Sequence, residues 1–190
     1  MNEEFTYVGN ELELFAEAKN WKSYVFGQVA PYLGNDVLEV GAGCGGSTMQ
    51  FAKKRVHRWV CLEPDAELAA QLQQRLENKD LPEYCELTIG TLDDIPQEEK
   101  FDSLMYLDVM EHIEDDAAEF SRATSFLKPG GHLIILCPAH QKLFTPFDKA
   151  IGHFRRYNRR SRRQSGRRAP RDQCRRPDAG SGLGRCTHPF

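Results

Sequence analysis

Three carboxylates in this chain, Glu39, Glu63 and Asp108, each stand at or near the end of a short apolar run, and the first is followed two residues later by a glycine turn. In that turn Gly41, Gly43 and Gly45 permit positive φ and, with Ala42, let a ligand lie against nearly bare backbone. Backbone N–H groups at the start of the following helix are expected to face the same ligand, which makes a nucleotide-like pocket. Glu39 narrows the choice, since a carboxylate there suits a cation and repels a pyrophosphate. Glu63, followed by Pro64, lies 22 residues after Gly41, about where open α/β folds place an acid on ribose hydroxyls. Its two oxygens can accept both hydroxyl hydrogens; the plainer alternative is a surface acid at a strand end. Asp108-Val109 leads into Glu111-His112, a pair able to bind a metal or exchange a proton, or simply a polar loop steering the chain onward. No further His or Asp spacing supports a metal, so none is expected. An unperturbed imidazole can take up a proton near neutrality, so His112, His140 and His153 are the candidates for deprotonating a substrate hydroxyl. Arg155, Arg156 and Tyr157 could hold an anionic substrate.

These groups need strands and helices to position them. Val37, Leu38 and Val40 mark a first strand and Trp59 to Leu62 a second, after a short helix over 47–52. Leu68, Ala69, Leu72 and Leu76 share one face of a crossover helix over 66–78. Cys85 to Ile89 alternates as a third strand, and 101–107 reads as a fourth. A helix through Ala117, Phe120, Ala123 and Leu127 stops at Lys128-Pro129-Gly130-Gly131. The apolar run His132 to Cys137 predicts a fifth strand covered on both faces. Before the first strand, Leu12, Leu14, Phe15 and Ala18, then Trp21, Tyr24, Val25, Val29 and Leu33, read as two helices packed on the sheet. Strand signals separated mostly by helical ones imply a parallel sheet with right-handed crossovers, a doubly wound α/β fold with helices on both faces.

A chain of 190 residues, 40% hydrophobic and 28% charged, has the composition of a globular protein with one sizeable core. No apolar run approaches a membrane span, and the acidic start Met1-Asn2-Glu3-Glu4 lacks a signal-peptide core, so a cytoplasmic protein is expected. Six cysteines form no CxxC pair and read as small buried hydrophobes. Residues 1–150 carry 26 Asp+Glu against 13 Lys+Arg, whereas 151–190 carry 12 Arg against Asp172 and Asp178.

Gly41-x-Gly43-x-x-Gly46 also fits the dinucleotide fingerprint, so NAD must be weighed against other adenosine ligands. With Glu39 ahead of it, the stretch Val37 to Thr48 resembles the first motif of the class I S-adenosylmethionine-dependent methyltransferases, acidic-x-Gly-x-Gly-x-Gly. Asp108 to Asp116 is similar to the fourth motif of the group that includes ubiquinone-biosynthesis O-methyltransferases. The resemblance spans roughly residues 10–160 and implies S-adenosylmethionine as cofactor and methyl transfer to a small-molecule acceptor. It implies that Glu39 and the glycines hold the methionine part and sugar, Glu63 the ribose, and Asp108 the neighbourhood of the amino acid and methyl. After Gly90, it places Thr91 and Leu92 on the adenine; Thr91 replaces the usual acid, so Asp93 is an alternative contact. It also gives helices before the first strand a place over the methionine end, making Trp21 and Tyr24 candidates there.

On this reading residues 1–157 form the cofactor-binding domain, and 158–190 an Arg-rich tail. Leu183 and Phe190 are the tail's only large apolar side chains, too few to offset ordering entropy, so it is expected to be disordered. The two further strands of a complete class I sheet are missing from its pattern. Either the tail binds an acidic surface or nucleic acid, or a GC-rich gene is read out of frame after about codon 161. The acidic body argues against nucleic acid as a partner, and oligomeric state stays open. The rivals to methyl transfer are an NAD-dependent oxidoreductase and a cofactor-binding remnant without activity.

Overall fold

The computed structural model describes residues 18–138 and 141–154, and all that follows concerns these. Five parallel strands form one sheet: β1 (Asp36–Val40), β2 (Arg58–Glu63), β3 (Cys85–Ile89), β4 (Phe101–Leu107) and β5 (Leu127–Leu136). Their order is β3-β2-β1-β4-β5. Helix α1 (Lys19–Val29) precedes the sheet, α2 (Thr48–Phe51) follows the glycine turn, and α3 (Ala66–Glu77) links β2 to β3. Helix α4 (Asp116–Ser125) links β4 to β5, and α5 (Pro146–Ala150) comes last. No described helix is long and apolar enough to cross a membrane.

Side chains of alternating strand positions divide into two cores, one on each face, as the period of two requires. Val37, Trp59, Cys61 and Met105 pack with Val25 of α1, Phe51 of α2 and Leu72 of α3. Leu38, Val60, Leu62, Leu104 and Tyr106 pack on the other face with Ala123 of α4 and Phe126. Helices on both faces of a parallel sheet bear out the expected doubly wound architecture. The order reverses between β1 and β4, and their carboxyl ends bound the crevice where such folds take ligands.

Turn chemistry fixes the ends of these elements. Asp65 caps α3, its side chain accepting the N–H groups of Glu67 and Leu68 at 2.9 Å each. At the opposite end of the sheet, Asp102 accepts the N–H groups of Asn35 and Asp36, and Lys128 pairs with Asp36 and Asp102.

Two expectations need correction. Trp21 and Tyr24 do not pack on the sheet: they are 49% and 59% exposed and stack on each other, ring centroids 5.8 Å apart. The stripe of α1 that faces inward is Lys22, Val25, Phe26 and Val29, the i, i+3, i+4, i+7 spacing of one helical face, with Val25 buried and Phe26 and Val29 packed on the core. Nor is β5 covered on both faces: it is an edge of the described sheet, with Ile134 buried and Ile135 37% exposed. Lys128–Gly131 belongs to β5 as an irregularity rather than a separate turn, with pairing jumping from Phe101↔Leu127 to Ser103↔His132. The first predicted helix apart from Ala18, His140, Arg155 to Tyr157 and the tail, with the expectation that it is disordered and lacks two strands, lie outside the described residues.

Candidate functional site

The crevice floor is the glycine turn, and its shape follows from backbone sterics. Gly41, Gly43 and Gly45 have φ of 70°, 56° and 80°, in the left-handed region that a Cβ disfavours. At Gly41 a Cβ would also stand 2.5 Å from Val109 Cγ2, so the turn lies directly against the loop after β4. At Gly43 a Cβ would meet nothing within 4 Å; bare backbone there opens onto free space.

The N–H groups of the turn are largely committed. Those of Gly41 and Ala42 donate to the Leu62 carbonyl of β2 at 2.8 and 3.1 Å, and that of Gly45 to Ala42 at 3.0 Å. Gly43 N–H donates to Glu63 Oε2 at 2.6 Å. These four donors tie the turn to itself and to β2; the N–H groups expected from sequence to face a ligand are the later ones, at the start of α2.

The carboxylates occupy different depths. Glu39 is 2% exposed, its Oε2 accepting from Thr48 Oγ1 at 2.8 Å and Trp59 Nε1 at 2.9 Å. Burial pushes its carboxyl up from 4.5 to about 7, against these two hydrogen bonds and the charge of Lys22. Glu63, also buried, gives its other oxygen, Oε1, to Asp65 N–H at 2.9 Å. Burial raises its carboxyl too, and the bonds from Asp65 and Gly43 oppose the rise. Asp108 stands more open at the end of β4, with φ of 55°, a strained value that Asp tolerates better than most residues. Surrounding protein raises its carboxyl by desolvation, and the charges of His153 and Lys22 pull it down.

Lys22 is the residue sequence reasoning missed. Its ammonium, lowered by burial, lies in the field of Cys44, Glu39 and Asp108, a cation among the crevice's carboxylates. The inward stripe of α1 contains it, and reading that stripe one position later than Trp21 would have found it.

At the adenine turn Gly90 has φ of 137°. Thr91 is taken up locally: its N–H donates to Asp94 Oδ2 at 2.8 Å, and its hydroxyl accepts from Asp93 N–H at 3.3 Å. Asp93 pairs with Arg122 at 3.0 Å. Leu92 is buried beneath them.

Beyond Asp108 and Val109, a short 3-10 turn over Met110–His112 presents Glu111 and His112. The imidazole of His112 meets that of His153 edge to face, centroids 4.6 Å apart. One donor atom each of Glu111, His112 and His153 lies within 4.8 Å of the others, a clustering compact enough for a divalent cation, which the linear spacing of Glu111 and His112 did not reveal. His153 Nδ1 is 3.3 Å from Asp148 Oδ1.

Strand order, crevice and glycine turn define a doubly wound α/β domain of the kind that takes ligands at this crevice, and comparisons narrow it. The family model described as "Methyltransferase domain" matches residues 37–131, half of the chain, and the chain belongs to that family. It is 27% identical over 115 residues to the mitochondrial ubiquinone biosynthesis O-methyltransferase of Dictyostelium discoideum, covering 55% of this chain and 36% of that protein. It is 28% identical over 123 residues to the tRNA U34 carboxymethyltransferase of Syntrophotalea carbinolica, covering 60% and 37%. The chain thus spans little more than a third of the length of these curated relatives. Among solved structures, magnesium protoporphyrin IX methyltransferase of Synechocystis PCC 6803 with bound SAH superposes with a TM-score of 0.57 at 18% identity, covering 74% of this chain and 68% of that one. That likeness shows the shared fold.

Proposed function

We propose that residues 1–157 bind S-adenosylmethionine in the crevice between β1 and β4 and transfer its methyl group to a small-molecule acceptor. The observation that carries this reading is the set of carboxylates, Glu39, Glu63 and Asp108, around a glycine turn whose N–H groups at Gly41, Ala42, Gly43 and Gly45 already have acceptors. A pyrophosphate needs free N–H donors and no facing carboxylate. A sulfonium and an ammonium fit the opposite arrangement, which argues against the dinucleotide alternative.

When bound, the cofactor supplies an electrophilic methyl group on sulfur. Glu39, once deprotonated, would set the negative field beneath its cationic end, and Lys22 would meet its carboxylate. Glu63 would use remaining lone pairs for the ribose hydroxyls. The turn at Gly90 to Leu92 would flank the adenine, with Asp108 and Val109 beside the amino acid. Catalysis then rests mainly on aligning an acceptor with the methyl group.

One curated relative is named for a tRNA. Residues 1–150 of this chain carry twice as many acids as bases, which disfavours a polyanionic acceptor and supports a small molecule. Calorimetric titration with S-adenosylhomocysteine and, separately, NADH tests the cofactor assignment. Heat is expected with S-adenosylhomocysteine alone; binding of NADH alone would overturn it.

A further inference from the structure

We infer that Asp65 is a positioning residue for cofactor selection: its backbone N–H and its side chain together fix the Glu63 carboxylate, so that the crevice takes a ribose diol and turns away its deoxy counterparts. The inference rests on the placement of the ribose at Glu63 proposed above and adds the residue that sets the selectivity of that contact.

Asp65 and Glu63 are each 5% exposed, and their contacts run in one chain. Asp65 N–H donates to Glu63 Oε1 at 2.9 Å. The Asp65 side chain serves the helix that follows, Oδ1 accepting the N–H groups of Glu67 and Leu68 in the first turn of α3. The Asp65 carbonyl accepts Ala69 N–H at 2.9 Å, so three bonds fix this residue to the start of α3. Helix α3 is anchored in turn, with Ala69 and Leu72 fully buried. It also touches the glycine turn, since a Cβ on Gly45 would stand 2.9 Å from Leu72 Cδ1. The Asp65 N–H is therefore held still relative to both the sheet and the bend after β1.

That bend supplies the other half of the clamp. Gly43 N–H donates to Glu63 Oε2 at 2.6 Å, while the Glu63 carbonyl accepts Gly90 N–H at 3.0 Å and fixes the backbone behind the side chain. Each carboxylate oxygen is thus met by one N–H, and the two donors come from different loops. A carboxylate offers about four lone-pair sites. With one on each oxygen taken, one on each oxygen is left, which matches two neighbouring hydroxyls. Whether both hydroxyls are met depends on the plane of the carboxylate, and the last bond of a Glu side chain turns easily. Without a fixed Asp65 N–H the group would pivot on its Gly43 bond, and one hydroxyl would lose its acceptor. A cap that served α3 alone would have no bearing on the sugar.

Calorimetric titration with S-adenosylhomocysteine and with its 2′,3′-dideoxy analogue measures this selectivity. Two hydrogen bonds to a charged acceptor imply that the parent prefers the diol roughly 100-fold or more. Asp65→Ala removes the cap and is expected to cut that preference at least ~10-fold, by weakening S-adenosylhomocysteine and sparing the analogue. Asp65→Asn, which still caps the helix, should restore it. Glu63→Gln and the double variant Asp65→Ala/Glu63→Gln should show the same residual preference, because both changes act through one carboxylate. Loss of a cap lowers stability whatever else it does, so the ratio of the two affinities is the deciding readout. Should Asp65→Ala not fold, Asp65→Gly, better tolerated at an N-cap, carries the same comparison. A preference in Asp65→Ala within about threefold of the parent's, both ligands weakening alike, would overturn the positioning role, as would effects of the two substitutions that add in the double variant. A parent that binds both ligands equally would instead remove the ribose from Glu63, and absence of S-adenosylhomocysteine binding would remove the methyl-transfer reading itself.

Discussion

Trp59 donates its indole N–H to a carboxylate that burial holds at about 7, so the charge state of Glu39 at neutral pH depends on two donors. Trp59→Phe keeps the ring and removes one of them. A hydrogen bond to a charged group contributes roughly 1.5–3 kcal/mol. Losing it moves the carboxyl of Glu39 further above 7 and leaves it protonated at neutral pH. Affinity for S-adenosylmethionine at pH 7 is expected to fall roughly tenfold or more, with most of the gap closing at pH 9. Titrations at the two pH values check this; a deficit equal at both would exclude the charge-state explanation. At this scale the sequence made the acids legible, because each follows an apolar run. It did not make their depth legible. Glu39 is enclosed because Thr48 and Trp59 come from other elements to meet it, and no local pattern announces that. Asp148 was equally hidden, since the bonds that fix it join α5 to a histidine on the turn beyond.

The loops after β1 and β4 form one device, because Gly41 and Val109 touch. Gly41→Ala would combine a left-handed backbone with a 2.5 Å approach to Val109 Cγ2. The backbone strain alone costs on the order of 1–3 kcal/mol. The variant is expected to unfold at lower urea than the parent and to bind S-adenosylhomocysteine far more weakly; chemical denaturation and calorimetry read the two effects separately. Gly43→Ala shares the backbone strain without the clash and should lose less stability. Most elements were readable from periodicity: β3 and β4 begin and end where alternation and apolar runs place them. Helix α1 was readable too, and Val25 and Val29 were rightly placed inward, but Trp21 and Tyr24 drew its face one position off the buried one. The length of β5 was obscured by Pro129, Gly130 and Gly131, which look like a stop yet ride in the strand as an irregularity against β4.

Across the whole molecule the titrating groups pull stability in opposite directions. Glu39 holds its proton more tightly folded than unfolded, so between pH 4.5 and about 7 the folded state binds more protons and stability falls as pH rises. The shift corresponds to about 3 kcal/mol. Asp36, held below its ordinary 3.8 first by Lys128, and Asp102, held low by the Asp36 N–H and Lys128 against its burial, act the other way: their contribution is lost as pH falls through their lowered values. Urea denaturation of the ligand-free protein should therefore show stability declining from pH 5 to pH 7.5, and Glu39→Gln should flatten that slope. A parent profile rising over this range would contradict the assignment. Sheet order is the feature no single segment could reveal. It depends on which strands meet, and the sequence reading named no order.

The Leu62 carbonyl takes the N–H groups of both Gly41 and Ala42, so the bend after β1 is anchored by its neighbour. A slip of β2 by one residue would remove that anchor and turn Glu63 to the opposite side. The cofactor can then be recognised only by chains in which the two central strands have annealed correctly. Its binding proofreads the pairing, and a misaligned fraction would show as sites missing from the stoichiometry rather than as weakened affinity.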